Sequence, residues 1–368
     1  MVRLKDVAEK AGVSIWTVSK VLGAESARGN ARISPACARK VIKAADLLGY
    51  RANYHARSLQ KGCSQCIGLL MGADTNVHVD PFWAHLLGGV EARARALGYD
   101  TIVIGPANNK SEVERGISYI KEQRVDSLIV AGHICADFRE GKMESLDIPI
   151  VVAASSRQSR HWTVEVDPGP GIVAAVAHLA ELGHRSLIWF CPEEGRTVQA
   201  EERRIAFECA AKAAGIKEQK TYFDKNQKIG SIAELIAAAR NHILPMLKKT
   251  HTFTGVVCYN EATALGVYSA ANELGIRIPR DLSVVGFDDL YSHVTLPAMT
   301  VASHMLPEMG ACAAELAIRL GSAENGQAGQ KAGEFASDKP LHPVTKIPSK
   351  LIVRSSTAAP SSGDSNKP

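Results

Sequence analysis

From residue 64 to residue 355 the chain alternates unbroken apolar β-runs with helical patterns that stop on glycine, and few folds accept that pattern. Seven runs read as strands: Ile67–Met71, Thr101–Ile104, Ser127–Val130, Pro149–Val152, Ser186–Phe190, Gly255–Cys258 and Leu282–Phe287. Helical patterns between them close at Leu97-Gly98, Leu182-Gly183, Ala214-Gly215 and Leu274-Gly275. Runs of Val, Ile and Leu without polar alternation suit strands covered on both faces. Strands alternating with helices give a mostly parallel sheet, and this length supplies two of them. Ligands of such sheets bind beyond the carboxyl ends of the strands. The expected body is therefore α/β and bilobal, two doubly wound parallel sheets with a cleft between them.

The first 62 residues differ in charge from the rest. They hold twelve Lys or Arg against four Asp or Glu, a net +8, while the remaining residues sum to −3. A basic head on a slightly acidic body suits a polyanion-binding module joined to a ligand-binding body. A solvated, Lys-rich helical surface carries the same charge, so charge alone leaves both open.

Three short helical patterns fill the head. Val7, Ala8 and Ala11 place small apolar groups on one face of a first helix, and Gly12 ends it where a left-handed residue is needed. Ser14 is a good N-cap for a second helix, Ile15 to Leu22. Its Val18, Val21 and Leu22 share an inward face, and Ile15, Trp16, Ser19 and Lys20 point elsewhere. Ser34-Pro35 opens a third helix, which carries Val41, Ile42, Ala45 and Leu48 and stops at Gly49. This is an all-α helix-turn-helix plan, and the second helix is slim enough for a major groove about 12 Å wide. An indole on so small a helix is unfavourable unless covered, so Trp16 either faces bases or packs on the third helix.

Longer motifs now add to this reading. Leu4-Lys5-Asp6-Val7-Ala8-Glu9-Lys10-Ala11-Gly12-Val13-Ser14, then Thr17-Val18-Ser19-Lys20-Val21-Leu22, resembles the N-terminal signature of the LacI/GalR family of bacterial transcription regulators. The likeness continues in Lys43–Asn53 and in Ala56-Arg57-Ser58-Leu59. In the body, Asp80-Pro81-Phe82-Trp83, Leu182-Gly183-His184-Arg185, Arg203–Phe207 and Asn260–Gly266 are similar to family segments, as are Ile278–Asp289 and Lys350–Thr357. The resemblance spans about residues 4–357. It implies a helix-turn-helix DNA-binding domain at 1–50, a hinge helix and linker at 51–63, a bilobal effector-binding and dimerisation core at 64–357, similar to periplasmic sugar-binding proteins, and a disordered tail at 358–368.

The same resemblance implies roles. Lys5, Ser14, Ile15, Trp16, Thr17, Ser19, Lys20, Asn53, Arg57 and Leu59 are the expected DNA-binding residues. Leu59 is the expected wedge of a hinge helix that folds on DNA; an apolar wedge unstacks a base step and bends the duplex, and so short a helix is marginal alone. Phe82, Trp83, Arg203, Asn260 and Asp288 are the expected effector-binding residues. Chemically, Asp288 can accept from two ligand hydroxyls, Arg203 offers a planar fork of donors, and Phe82 or Trp83 can stack on a sugar ring. A structural pairing of Arg203 with Asp288 is the competing reading. The implied partners are a pseudo-palindromic operator in double-stranded DNA, a small-molecule effector, most simply a carbohydrate, and a second copy of the chain in a homodimer or a tetramer. A single small helix-turn-helix makes few contacts, and two-fold symmetry doubles them. Departures from the family pattern are Arg3, the apolar Ile15-Trp16 pair, Glu261 for the usual Asp, Pro168, and Ala154-Ser155-Ser156 for the usual Asp-Arg.

Other classes of function lack their marks. Gly169-Pro170-Gly171-Ile172-Val173-Ala174 matches a dinucleotide fingerprint, but its strand, Thr163–Val166, is short and mid-chain, and Pro170 lacks a backbone N–H for phosphate. No Walker loop, zinc-protease motif or nucleophile elbow is present, so no enzyme and no cofactor are expected. Cys63-Ser64-Gln65-Cys66 has no second ligand pair for zinc; it is two incidental thiols or a redox pair. Most of the eight cysteines sit in apolar segments and read as core thiols. No run of eighteen apolar residues exists to span a membrane. The charged start, Met1 to Val7, lacks the apolar core of a signal peptide, so a transport protein is disfavoured and the cytoplasm is the expected location. Gly321 to Pro343 reads as a long crossover, and no leucine heptad follows the core to build a tetramerising coiled coil.

Overall fold

The computed structural model describes residues 2–22, 33–51, 58, 62–71, 80–105, 111–131, 149–154, 161–191, 198–222, 231–249, 253–324 and 344–361. The head contains the three expected helices, α1 (Leu4–Ala11), α2 (Ile15–Leu22) and α3 (Pro35–Leu48). Local chemistry sets their ends. The Asp6 carboxylate reaches back to the Arg3 backbone N–H at 2.8 Å, supplying a cap where Arg3 has none to offer. Gly12 stops α1 at φ 65°. Ser14 Oγ accepts the Thr17 N–H at 3.1 Å, and Ser34 Oγ accepts the Cys37 N–H at 3.3 Å. Val7, Ala8, Val18, Val41, Ala44 and Ala45 make the core of the head.

The body follows in chain order: β1 (Cys66–Met71), α4 (Pro81–Ala96), β2 (Asp100–Ile104), α5 (Glu112–Lys121), β3 (Ser127–Ala131), β4 (Ile150–Ala153), β5 (Trp162–Asp167), α6 (Gly169–Glu181), β6 (Ser186–Cys191), α7 (Val198–Ala213), β7 (Lys217–Tyr222), α8 (Ile232–Lys248), β8 (Gly255–Cys258), α9 (Glu261–Glu273), β9 (Ser283–Asp288), β10 (Thr300–Ser303), α10 (Leu306–Glu324), β11 (Val344–Pro348) and β12 (Lys350–Ile352). Two six-stranded sheets result, ordered β11-β5-β4-β3-β1-β2 and β12-β10-β9-β8-β6-β7. The first is parallel throughout; in the second, β12 runs antiparallel to β10. The two mostly parallel sheets expected from the sequence are present, with one antiparallel edge strand.

Each sheet is covered on both faces, as its apolar strands require. Helices α4 and α10 bury Leu86, Val90, Leu306 and Met309 against Ile67, Leu69, Ile129 and Val151. On the second sheet, α6 and α7 cover one face through Ile172, Val176 and Phe207, and α8 and α9 cover the other through Ile243, Ala264 and Val267. Both sheets share the inner order 2-1-3-4-5, which places a topological switch at β1/β3 and another at β6/β8.

The chain passes between the lobes three times, after β5, after β10 and between β11 and β12. The passages touch one another. The Ser349 N–H donates to the Asp167 carbonyl at 2.9 Å, and Ser349 Oγ accepts the Gly171 N–H at 2.9 Å. A Cβ on Gly171 would lie 2.7 Å from Ser349 Oγ and 3.0 Å from Ala302 Cβ. Gly171 of the G-x-G-x-x-A stretch thus serves a crowded crossing between lobes, and its N–H is taken.

Four expectations are corrected. Strands β7, β10, β11 and β12 were not legible, because Lys217–Tyr222 is polar and the others are short edge or polar segments. Residues 321–324 extend α10 where a loop was expected; residues 325–343 lie outside the described residues. Ala358 does not begin a free tail: its N–H donates to Ser283 Oγ at 3.1 Å and its carbonyl lies 3.0 Å from His184 Nε2. Cys209 is exposed and Cys37, Cys63 and Cys312 half-buried, so only Cys66, Cys191 and Cys258 are core thiols among the described cysteines. Cys63 and Cys66 are both unbridged.

Candidate functional site

Phe82, Trp83, Arg203, Asn260 and Asp288 lie at the carboxyl end of a strand or on the helix that follows one. Phe82 and Trp83 open α4 after β1, where Asp80 Oδ1 accepts the Phe82 N–H at 3.0 Å. Asn260 caps α9 after β8, Asp288 ends β9, and Arg203 lies on α7 after β6. Phe82, Arg203 and Asp288 meet at His304, on the passage from β10 to α10. Its ring centroid stands 5.1 Å from Phe82 of the first lobe and 5.6 Å from Phe287 of the second, both edge to face. His304 Nδ1 is 3.2 Å from Asp288 Oδ1. No sequence signal marked His304, because the four-residue strand before it was not legible.

Arg203 is almost fully buried, at 3% exposure, so its charge is desolvated. Its guanidinium lies 3.6 Å over the Phe287 ring and 4.9 Å from the Tyr259 ring, a cation–π seat. Nη1 donates to the Tyr259 carbonyl at 2.7 Å, and Nη2 stands 3.9 Å from Asp288 Oδ1. Nε is buried without a partner among the described residues, a spare donor. Burial holds the His304 imidazole below its ordinary value, against the pull of the Asp288 carboxylate. We assign the neutral ring with Nδ1–H donating to Asp288. The Asn260 carbonyl oxygen accepts from the Thr263 N–H at 2.9 Å and the Thr263 hydroxyl at 2.7 Å. Its amide nitrogen, a donor, is what remains for a ligand. The approach of Arg203 to Asp288 is the pairing that the competing reading described.

The loop after β9 is strained and heavily tied. Asp288 has φ 116° and Asp289 φ 76°, conformations that non-glycine residues hold only when surroundings impose them. Asp289 Oδ1 accepts from Arg354 Nη2 at 2.8 Å and from the Ser292 hydroxyl. Glu261, the departure from the family's Asp, is buried and accepts the backbone N–H of Leu290 at 2.6 Å and of Tyr291 at 2.9 Å. Leu290 in turn packs on the core of the first lobe. Glu261 therefore holds the loop through which the second lobe touches the first.

Burial pushes the Glu261 carboxyl up to about 7, despite the two N–H donors, and Asp288 and Asp289 add to the push. A carboxyl raised on folding contributes stability that is present at low pH and lost as pH rises through the folded value. From its ordinary 4.5 to about 7 the loss reaches about 3 kcal/mol at 1.4 kcal/mol per unit. Glu261→Gln abolishes that slope. The stability of the wild type minus that of the variant is expected to fall between pH 4.5 and 7, measured by urea unfolding at each pH. A flat difference would show that the carboxyl stays ionised. His304 acts in the opposite sense, weakening the fold as pH drops, which is why the difference and not the raw curve is the readout.

On the head, Ile15 and Trp16 are 53% and 56% exposed, so α3 leaves more than half of Trp16 uncovered. Lys5 and Ser14 are exposed, and Thr17, Ser19 and Lys20 half-buried. The Ser14 and Thr17 hydroxyls are 2.9 Å apart, engaged in the cap of α2. Asn53, Arg57 and Leu59 lie outside the described residues.

Fold and cleft together define a class: a helix-turn-helix head on a periplasmic-binding-protein-like core. The chain belongs to the LacI family of bacterial regulatory proteins, whose head matches residues 3–53 and whose periplasmic binding protein-like domain matches residues 176–357. It is 31% identical over 314 residues to the transcriptional repressor PurR of Vibrio atlanticus, covering 82% of this chain and 86% of the relative. It is 27% identical over 361 residues to the transcriptional regulator GalR of Escherichia coli, covering 96% and 95%. In fold it is similar to the lac repressor dimer bound to operator and the anti-inducer ONPF, with TM-score 0.67, 23% identity and 97% and 99% of the two chains covered. It is also similar in fold to a CelR–cellobiose complex, with TM-score 0.60, 22% identity and coverage of 97% and 100%. These relatives regulate transcription; the expectation of a DNA-binding transcription regulator, and not an enzyme, holds.

Proposed function

We propose that this protein represses transcription in the cytoplasm as a homodimer on a pseudo-palindromic operator, and that a small carbohydrate or carbohydrate derivative in the cleft sets its operator affinity. The observation that carries the effector class is the donor–acceptor set around His304. Aromatic Phe82 and Trp83 lie at one wall, and Arg203, with a buried spare N–H, and the Asp288 carboxylate lie at the other. Such a set suits vicinal hydroxyls on a ring with an apolar face. The CelR–cellobiose likeness supports this class without naming the sugar. The ligand acts only as far as it prefers one lobe arrangement, and the linked passages at Ser349 and His304 are where that arrangement changes.

On DNA, α2 enters the major groove and the exposed Ile15-Trp16 pair meets thymine methyls or base faces, while Lys20 bonds guanine or a phosphate. Asn53, Arg57 and Leu59 act at the hinge. The test is in-vitro selection of genomic DNA fragments by the purified full-length protein at near-physiological salt. A recovered palindrome with a pyrimidine–purine step at its centre supports the reading, and recovery of no sequence preference counts against it. On the recovered duplex, Trp16→Ala is expected to weaken binding by about 1–3 kcal/mol. Because Trp16 carries no charge, affinity for unrelated DNA and the slope against salt should not change. Equal loss on both duplexes in a gel-shift titration would remove Trp16 from base recognition.

A further inference from the structure

Between the head and the first strand, the chain passes through Gly62, Cys63, Ser64 and Gln65. Its entry into the core is held by Asp126, the residue before β3. Asp126 Oδ1 accepts the Ser64 backbone N–H at 2.7 Å and the Ser64 hydroxyl at 3.0 Å; Oδ2 accepts the Gln65 N–H at 2.8 Å. The Asp126 N–H donates to the Cys66 carbonyl at 2.8 Å. Gln65 has φ 52°, a left-handed conformation, and Ser64 is buried. One half-buried carboxylate therefore gathers three donors and sets the direction in which the linker meets the core.

The same corner receives the C-terminal end of α10. A Cβ on Gly321 would lie 2.8 Å from the Asp126 carbonyl oxygen, and Ser322 Oγ is 3.3 Å from the Tyr99 hydroxyl. The other end of α10 starts two residues after His304. Its 19 residues span about 28 Å at 1.5 Å per residue. Along its N-terminal half it is locked to α4, since Gly89 faces the Pro307 carbonyl and Gly310 the Leu86 carbonyl with no room for a Cβ. Phe82, at the head of α4, touches His304 as well. A rigid helix pair thus has one end in the cleft and, through α10, the other on the linker's anchor.

We propose that Asp126 is a positioning residue for operator binding: it aims the linker as it leaves the core, and α10 ties that aim to the state of the cleft. The proposal rests on the DNA-binding reading above. Physical contiguity alone does not transmit; the two ends must have two arrangements that both sites bias.

Two variants test it. Asp126→Asn keeps the shape but sets an amide N–H against a backbone N–H of Ser64 or Gln65. Gly321→Ala adds one methyl against the Asp126 carbonyl while raising helix propensity, so it does not unfold α10. The first readout is amide hydrogen exchange at Ser64 and Gln65 in the free full-length protein. The second is affinity for the duplex that the wild type selects and for an unrelated duplex. Asp126→Asn should speed exchange at both amides by about tenfold and weaken the selected duplex by about tenfold, the effect of one lost charge-assisted bond. Binding to the unrelated duplex should hold. Gly321→Ala should move both readouts in the same direction by less. Unchanged exchange, or equal weakening on both duplexes, overturns the proposal; unmoved readouts in Gly321→Ala overturn the part played by α10. If the wild type selects no duplex, the DNA reading fails, and the exchange readout still decides whether Asp126 anchors the linker.

Discussion

Gly310→Ala is expected to destabilise the core by about 3 kcal/mol, where the same change on an exposed helix would stabilise by about 1 kcal/mol. The reason is the approach of two backbones. A Cβ on Gly310 would collide with the Leu86 carbonyl and come within 2.9 Å of the Val90 nitrogen. Neither is a side-chain tip that can swing away, so α4 and α10 must part. Parting them opens the packed layer of Leu86, Val90, Leu306 and Met309 on the first sheet. The sign of the shift in the urea midpoint decides the matter: stabilisation would mean that the helices do not touch at Gly310. Gly89→Ala should behave alike, since its Cβ would strike the Pro307 carbonyl.

The second large effect concerns charge. Asp288→Ala leaves the Arg203 guanidinium buried without a carboxylate, a loss of about 2–4 kcal/mol, somewhat below the usual cost of orphaning a buried charge because two rings and the Tyr259 carbonyl remain. Adding Arg203→Met to Asp288→Ala should recover much of it, since the orphaned charge goes too. Strict additivity in denaturant unfolding of the two singles and the double would show that the 3.9 Å pair is not coupled. While folded, Asp288→Ala should still bind the selected operator and lose its response to ligand. Equal loss of both in a gel-shift titration would contradict a site devoted to the effector.

The head was legible almost to the residue. Ser14, Ser34-Pro35, Gly12 and Gly49 are local signals, and caps act over three or four residues, so α1, α2 and α3 begin and end where their own sequence says. The central strands were legible for a related reason: a strand buried on both faces must be apolar throughout. Strand β7, with Lys217, Glu218 and Lys220, and the edge strands β11 and β12 escape that rule, because an edge needs less apolar cover.

The cleft divides along the same line. Phe82, Trp83, Arg203, Asn260 and Asp288 stood out through motifs, and each is placed by the strand it ends or follows. Their residue types and their positions at or after strand ends were properties of the sequence. Who pairs with whom was not. That His304 would sit between Phe82 and Asp288, that Asn260 would spend its carbonyl on a helix cap, and that Asp126 would grip Ser64 and Gln65 from 62 and 61 residues away are outcomes of long-range packing. A propensity or a cap is a free energy between near neighbours in the chain, so sequence alone determines it. A contact between distant residues exists only once both sheets have formed and the chain has crossed between them, so only the tertiary structure decides it.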